Sequence, residues 1–212
     1  MDVVVAGGHG KIARRLLGML AKRGDRGRGL IRNPDHAGDL EAVGAEPVVC
    51  DMEMEVDLAP FVAGADALVF AAGAGPGSGA ERKRTVDLGA ALKLIEAAKA
   101  RGVDRYLMIS SMGAGNPERS SEQMRPYIEA KAEADRALER SGLAYTIVRP
   151  GRLTDDGGSG RIRVGSDIGY GDIPREDVAA TLTAALDELA TVGKTFELLT
   201  GDTPVEEALR AL

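Results

Sequence analysis

The sequence has few aromatic residues, no tryptophan, a single cysteine (Cys50) and no long apolar run. A lone cysteine cannot form an internal disulfide, and a membrane-spanning helix needs about 18 or more consecutive apolar residues. Two histidines and one cysteine cannot assemble a metal site from the usual soft ligands. Among 212 residues, 27 are basic and 33 acidic, and the net charge of −6 is opposite in sign to that of most nucleic-acid binders. We therefore expect no metal, no membrane partner and no nucleic-acid partner.

The start of the chain also lacks the marks of a secretion signal. It runs directly into Val3, Val4 and Val5, with no preceding basic segment and no cleavage site of small residues. Together with the single cysteine, this pattern predicts a cytoplasmic protein. The sequence is equally compatible with a monomer and a homodimer.

What the chain does contain is a regular alternation of strand-like and helix-like patterns. Short apolar runs typical of buried strands occupy 3–6, 29–31, 47–50, 67–72, 105–109, 144–148 and 195–199. Helical spacing follows the first run as far as Gly24, recurs in Leu88, Leu92, Ile95 and Ala98, and covers about 127–142. Val178, Leu182 and Leu186 indicate a further helix, and Pro204 opens a short one. This alternation predicts an α/β fold with a doubly wound parallel sheet, Rossmann-like, in a single domain of residues 1–212.

Ligands of such sheets bind at the carboxyl ends of the strands, where this sequence has two glycine-rich loops, 73–79 and 155–160. After Arg149-Pro150-Gly151 only about sixty residues remain. We expect this region, about 151–212, to be a short substrate-side segment. Its length makes a nucleotide-sugar substrate a poor candidate.

A glycine loop follows the first strand. Gly7, Gly10 and Ala13 form a G-x-x-G-x-x-A pattern that also opens the first helix. Glycines at these positions let the backbone approach a pyrophosphate, and the helix N-terminus offers its N–H groups to the negative charge. We expect a dinucleotide held by residues of this loop and the first helical turn, namely Gly7, His9, Gly10, Lys11 and Ile12. For His9, an exposed loop position without a ligand is the alternative.

The next two strands indicate which dinucleotide. Arg32 and Asn33 stand where NAD-binding proteins place an acidic residue for the ribose 2′-hydroxyl, and a guanidinium there suits a 2′-phosphate. We expect NADP (NADPH) rather than NAD, although Arg32 at a strand end close to Asp35 has a purely structural alternative. Asp51 could accept from the adenine amino group or be an ordinary loop carboxylate. The excess of basic residues in 1–40 fits an anionic ligand or a solvated helix face.

Six motifs occur in the order seen in short-chain dehydrogenase/reductases: the glycine loop, Arg32-Asn33-Pro34, Ala71-Ala72-Gly73, Ser110-Ser111, Tyr127-x-x-x-Lys131 and Arg149-Pro150-Gly151. The whole chain resembles the atypical group described as NAD(P)-dependent epimerase/dehydratase or NAD(P)H-binding proteins. That group is similar to flavin/biliverdin reductases and NmrA-like redox sensors. The resemblance implies that Ala71, Ala72, Gly73, Ser110, Lys131, Pro150 and Gly151 also contact the cofactor.

Tyr127 and Lys131 are four residues apart and would share a helix face, where the ammonium would lower the pKa of the phenol. The resemblance implies that Tyr127 donates a proton to a carbonyl as hydride arrives, that Ser111 orients the carbonyl and that Lys131 binds the nicotinamide ribose. Ser110 is the competing serine. The alternative is an amphipathic helix with a surface lysine and a half-buried tyrosine.

Asp87 departs from the common pattern of the family. Many members carry an asparagine on the helix after the fourth strand, and Asp87 is the residue we place there. We expect Asp87 to belong to the catalytic group with Tyr127, Lys131 and Ser111. The alternative is an aspartate in the first turns of a helix, where its negative charge interacts favourably with the helix dipole.

Three functions agree with these motifs. The first is an NADPH-dependent reductase of a small carbonyl, quinone or flavin. The second is a sugar epimerase or dehydratase, and the third is a non-catalytic NADP(H)-binding redox sensor. The presence of both Tyr127 and Lys131 favours an enzyme with a small-molecule substrate, because a sensor needs no proton donor beside the nicotinamide.

Overall fold

The computed structural model describes residues 1–75 and 77–212; Pro76, in the predicted loop 73–79, lies outside the described residues. The strands are β1 (Asp2–Ala6), β2 (Arg26–Ile31), β3 (Glu46–Val49), β4 (Ala67–Phe70), β5 (Arg105–Ile109), β6 (Ala144–Pro150), β7 (Arg152–Thr154), β8 (Arg161–Gly165), β9 (Asp172–Pro174), β10 (Lys194–Thr200) and β11 (Thr203–Pro204). The helices are α1 (Lys11–Arg23), α2 (Ala37–Glu41), α3 (Ala59–Val62), α4 (Ala80–Arg82), a π-helical segment (Lys83–Ala90), α5 (Ala91–Arg101), α6 (Arg125–Glu139), α7 (Arg175–Ala185) and α8 (Val205–Arg210).

The main sheet has the strand order β3-β2-β1-β4-β5-β6-β10-β8-β11. Strands from β3 to β10 are parallel, and β8 pairs antiparallel with both β10 and β11. The order 3-2-1-4-5-6 is that of the Rossmann fold, and it reverses between β1 and β4, where ligands of such sheets bind. The predicted single-domain, doubly wound α/β fold is therefore confirmed.

Both faces of the sheet are covered by helices. Alternate residues of β1 point to opposite faces, so Val4 packs with Phe70 and Leu94 while Val3 and Val5 pack in a second cluster with the helices of the other face. The second cluster includes Leu16 of α1 and Leu182 of α7. No helix among the described residues is long and apolar enough to cross a bilayer.

The helix after β4 differs in phase from the sequence prediction. We predicted that Leu92 lies on the buried face with Leu88, Ile95 and Ala98, but Leu92 is 37% exposed and Leu94 is buried instead. The π-helical segment ahead of α5 is the physical reason. Its i→i+5 hydrogen bonds accommodate more residues per turn than an α-helix does, so the face presented by the next turns rotates.

The segment after β6 contains strands that the sequence patterns did not indicate. The predicted loop 155–160 is irregular. In the sequence β7 precedes this loop and β9 follows β8, and β7 and β9 pair as a separate two-stranded parallel sheet. These strands are short, and β8 alternates exposed Arg161 and Arg163 with buried Ile162. Residues 151–212 thus extend the main sheet, and three of them, Gly151, Arg152 and Tyr170, line a cavity beside Ser111.

Candidate active site

The glycine loop lies where the strand order reverses. Gly7 has a φ of +79°, and a Cβ atom at this position would lie 2.7 Å from the Ala72 Cα. The loop backbone therefore packs directly on the segment that follows β4. The Gly10 N–H donates to the Gly7 carbonyl at 2.8 Å, and Gly10 precedes α1 without a side chain that could cap it. The N–H groups of the first turn of α1 are left available for an anion.

A cavity of about 440 Å³ runs along this loop. Nine of the residues predicted to bind the cofactor line it: Gly7, His9, Gly10, Arg32, Asn33, Asp51, Ala71, Ala72 and Gly73. The buried Cys50 lines the same cavity, and burial raises the pKa of its thiol to about 12, which makes it a poor nucleophile. Glu53, Arg82 and His36 also line the cavity and were missed from the sequence, because they belong to no local motif.

Other residues assigned to the cofactor lie elsewhere. Ile12 is partly buried and, like Lys11, does not line the cavity. Lys11 forms an ion pair with Asp155, its Nζ 2.5 Å from Oδ2, and Asp155 also binds Arg175 at 2.9 Å. The lysine therefore joins the start of α1 to the start of α7. A role for Lys11 and Ile12 in cofactor binding stays a prediction.

The basic residues of 1–40 are largely neutralised within the protein. Arg23 binds Asp187 at 2.6 Å, Arg26 binds Glu46 at 2.6 Å, and Arg28 binds Asp2 at 2.7 Å. These pairs favour the structural reading of the basic excess. Arg32 is also paired, with its guanidinium 3.2 Å from Glu53 Oε2, but unlike these three arginines it lines the cavity.

His9 takes a position between the two readings given for it. Its ring is stacked on that of His36, with centroids 3.6 Å apart, and its Nε2 lies 2.7 Å from Asp39 Oδ2. The hydrogen bond to His9 lowers the pKa of Asp39. The side chain of His9 is 34% exposed, and it borders the cavity.

Beyond the glycine loop, α6 and the π-helical segment bring Lys131 and Asp87 together. The Lys131 Nζ lies 3.2 Å from Asp87 Oδ1 and donates to the backbone oxygens of Ile109, at 3.2 Å, and Ala72, at 3.4 Å. Asp87 Oδ2 accepts from the Ala74 N–H at 3.2 Å. The surface-lysine alternative is wrong, since Lys131 is only 3% exposed. Asp87 is fully buried about two turns from the helix start at Ala80, so its surroundings are set by Lys131 and the Ala74 N–H as well as by the helix.

Tyr127 is half-buried on the same face of α6, with the Lys131 Nζ 6.0 Å from the centroid of its ring. Burial raises the pKa of Tyr127, and the Asp87 carboxylate adds to this rise, whereas Lys131 and the nearby Ser111 hydroxyl act to lower it. The expectation of a lowered pKa is therefore wrong in net direction, although the sign of the Lys131 effect is correct. The phenol keeps its proton at neutral pH.

The two candidate serines differ in their surroundings. Ser110 is buried, and its hydroxyl donates to Asp135 Oδ2 at 2.9 Å. Arg149 donates to the same oxygen at 2.9 Å, yet burial keeps the pKa of Asp135 above its usual value. Ser110 thus belongs to an internal network, and Ser111 is the serine beside Tyr127.

Ser111 also borders a second cavity, of about 380 Å³. Pro150 and Gly151 line this cavity rather than the first one, together with Met112, Ile128 and Tyr170. The start of the segment after β6 therefore lines the same cavity as Ser111, and a substrate-side role for this segment stays a prediction. Direct contact of Pro150 and Gly151 with the cofactor stays a prediction.

The reversed strand order and the glycine loop between β1 and α1 are those of a nucleotide-binding Rossmann protein. The NAD(P)H-binding family matches residues 7–189, and the chain belongs to this family. The predicted resemblance is thereby confirmed, as is a nicotinamide dinucleotide as the class of cofactor.

Three relatives are similar over essentially their whole length. A protein of Bacillus subtilis named as an uncharacterized sugar epimerase, YhfK, is 41% identical over 214 residues, with 100% of both chains covered. The solved structure of an NAD-dependent epimerase/dehydratase of Bacillus halodurans, a provisional designation, has a TM-score of 0.95 at 40% identity, with 100% of each chain covered. The structure of the oxidoreductase ylbE from Lactococcus lactis has a TM-score of 0.88 at 26% identity, covering 100% of this chain and 96% of that one.

Proposed function

We propose that the protein is an NADPH-dependent reductase of a small carbonyl, quinone or flavin. The observation that carries the proposal is the fully buried Lys131–Asp87 pair, which lies beside Tyr127 and is tied by Lys131 to the Ala72 carbonyl of the cavity wall. Burying a charge pair costs desolvation free energy, and titratable groups in such surroundings cluster at functional sites. The name of the Lactococcus lactis relative, an oxidoreductase, supports this class of reaction.

The first cavity fits a dinucleotide. A side chain on Gly7 would collide with the Ala72 backbone, and Gly10 leaves the first turn of α1 open, so the loop suits a pyrophosphate. Arg32 and Arg82 both line the far end of the cavity, where they would hold a 2′-phosphate. This second feature supports NADPH over NADH.

In the proposed reaction, NADPH would, when bound in the first cavity, supply a hydride to the carbon of the substrate carbonyl. Tyr127 donates its proton to the carbonyl oxygen, so that the substrate becomes an alcohol and the phenol is left as a phenolate. Ser111 donates a hydrogen bond that orients the same oxygen. Lys131 stabilises the phenolate by its positive charge, and Asp87 keeps Lys131 in place through the ion pair.

The raised pKa of Tyr127 suits this role. A phenol that retains its proton over the neutral range is ready to act as an acid, and it loses the proton only as negative charge develops on the substrate oxygen. The second cavity, of about 380 Å³, is partly apolar through Met112 and Ile128, which suits a compact acceptor.

The test is NADPH consumption by the purified protein with a panel of quinones, flavins and aldehydes. We expect Tyr127→Phe to lower kcat/KM by about 100-fold or more, since general acid catalysis contributes 10²–10⁴-fold. Tyr145→Phe removes a hydroxyl from β6 and serves as the matched control. Full activity of Tyr127→Phe would exclude Tyr127 as the acid, and tight NADPH binding without turnover of any acceptor would favour a nucleotide-binding sensor.

A sugar epimerase is the second candidate, because the Bacillus subtilis relative carries that name at 41% identity. An epimerase returns the hydride to its substrate and consumes no NADPH. Interconversion of a nucleotide sugar with catalytic NADP⁺, in the absence of net NADPH oxidation with every acceptor, would decide in its favour. The volume of about 380 Å³ for the second cavity favours the reductase.

A further inference from the structure

Glu53 occupies an anion site built by three donors at the end of the first cavity. The Thr85 hydroxyl donates to its Oε1 at 2.7 Å, and the Arg32 guanidinium lies 3.2 Å from its Oε2. Arg82 approaches the same Oε2 through two nitrogens, each at 3.5 Å. The donors come from the residue after β2 and from the helical stretch after β4, so residues far apart in sequence converge on one carboxylate.

The charges and shape of this cluster match a phosphate monoester better than a carboxylate. Two guanidinium groups face one negative charge, so the cluster has a surplus positive charge when Glu53 alone is present. A phosphate monoester carries about −1.5 to −2 at neutral pH and has three acceptor oxygens for the two arginines and Thr85. Glu53 and such a phosphate cannot share the donors, because two anions at this separation repel each other.

We propose that Glu53 is an internal competitor for the 2′-phosphate and thereby sets the preference between NADPH and NADH. In the free protein the Glu53 carboxylate occupies the position that the phosphate would take, and Arg32 and Arg82 bind the carboxylate there. Binding of a 2′-phosphorylated nucleotide displaces the carboxylate, and the lost contacts reduce the affinity. The inference rests on the proposed NADPH cofactor, and it adds a specificity-determining residue to that site.

The backbone around Glu53 is fixed independently of its side chain. The Glu53 N–H donates to Asp51 Oδ1 at 3.0 Å, and the Lys93 Nζ donates to the backbone oxygens of Met52, Glu53 and Glu55 at 3.0, 3.2 and 2.6 Å. The side chain is only 25% exposed, but it borders the open cavity. Displacement therefore needs a rotation of the Glu53 side chain and no rebuilding of the loop.

The test compares two probes that differ only in the 2′-phosphate, adenosine 2′,5′-bisphosphate and adenosine 5′-monophosphate, by isothermal titration calorimetry. Removal of the carboxylate charge in Glu53→Gln is expected to tighten binding of the bisphosphate about tenfold and to leave the monophosphate within about twofold. Glu55→Gln is the matched control, since it removes the same charge from the same loop at a residue that does not line the cavity. Arg82→Ala is expected to weaken the bisphosphate alone, by about tenfold or more.

The possible results separate this inference from the proposed function. If the native protein prefers the bisphosphate and Glu53→Gln gains nothing, the competitor role is wrong and the NADPH proposal stands. If Glu53→Gln instead weakens the monophosphate, Glu53 binds ribose hydroxyls and the competitor role is again wrong. Equal gains in Glu53→Gln and Glu55→Gln would show a general charge effect and would also overturn it.

Discussion

At the scale of single residues, the buried pair of Lys131 and Asp87 is the most informative feature of the site. Asp87 is fully buried, and its carboxylate has the Lys131 ammonium at 3.2 Å and the Ala74 N–H at 3.2 Å. Moving two charges out of water costs free energy that their mutual attraction only partly returns. Such a pair contributes little to stability compared with apolar packing, so its presence is better explained by chemistry than by folding.

Lys131→Met is expected to lower the free energy of unfolding by about 3–5 kcal/mol, because it leaves the Asp87 carboxylate buried without its partner. The double variant Lys131→Met/Asp87→Asn has no uncompensated charge, and we expect it to recover most of that loss. Urea denaturation of the two variants and of the native protein measures the difference. A single variant no less stable than the double one would contradict the assignment of a charged pair.

Local spacing predicted some of these residues and could not predict others. Tyr127 and Lys131 were identified because residues four apart share a helix face, and Ser111 because it ends a strand. Glu53, Arg82 and the contact of Lys131 with Asp87 depend on which loops and helices meet in three dimensions. The direction of the pKa shift of Tyr127 was mispredicted for the same reason. Burial is its largest cause, and the spacing of residues does not report burial.

At the scale of elements, the glycine loop and the π-helical segment shape the site. The loop places the start of α1 against Ala72, and the π-helical segment carries Asp87 to Lys131. The sequence predicted the position of α1 well, because the apolar residues at helical spacing stop at Gly24, where the helix ends. It did not predict the phase of the helix after β4, because the periodicity analysis assumed α-helical geometry and Leu92 was misplaced in consequence.

Gly7→Ala tests the role of the loop. Gly7 has a φ of +79°, and a Cβ atom added to it would lie 2.7 Å from the Ala72 Cα, so there is no room for a methyl group. We expect the free energy of unfolding to fall by about 2–4 kcal/mol. Nucleotide binding is expected to weaken at least about tenfold, since the loop must shift. Gly38→Ala is the matched control. Gly38 is exposed within α2 with nothing within 4 Å of its added Cβ, and the substitution should stabilise by about 0.5 kcal/mol.

Urea denaturation and nucleotide titration are run on both glycine variants. Equal effects of the two substitutions would contradict a special role for Gly7. A stable Gly7→Ala protein with unchanged nucleotide affinity would show that the loop can move away from Ala72 and that its tight packing is not required for binding.

At the scale of the whole molecule, the main sheet and its C-terminal extension line two cavities: the glycine loop and Arg32 line the first, and Ser111 and the start of the segment after β6 line the second. The Rossmann half from β1 to β6 was predicted from alternating apolar runs, because its parallel strands are buried on both faces. The later strands β7, β8, β9 and β11 are short or partly exposed, and their pattern is weak. Asp155 links the two parts through its ion pairs. Lys11 lies 144 positions before it in the sequence, and Arg175 lies 20 positions after it.

Cofactor preference can be measured through the stability of the entire fold. A ligand that binds only the native state at about 100 times its Kd stabilises it by about 2.7 kcal/mol. For a chain of this length each kcal/mol corresponds to about 2–4 °C, so saturating NADPH should raise Tm by about 5–10 °C. NADH at the same concentration should give a smaller shift, because it does not engage Arg32 or Arg82.

The matched variants are Arg32→Ala, at the cavity, and Arg140→Ala, at an exposed position after α6. Loss of a charge-assisted contact with the 2′-phosphate is worth about 1.5–3 kcal/mol, so Arg32→Ala should reduce the NADPH-induced shift to less than half and leave the NADH shift unchanged. Arg140→Ala should alter neither shift. If Arg32→Ala reduces both shifts equally, Arg32 supports the common part of the cofactor, or the fold, and the basis for preferring NADPH is lost. If NADH gives the larger shift in the native protein, the NADPH assignment is wrong, because the arginine pair would then face a ribose without a phosphate.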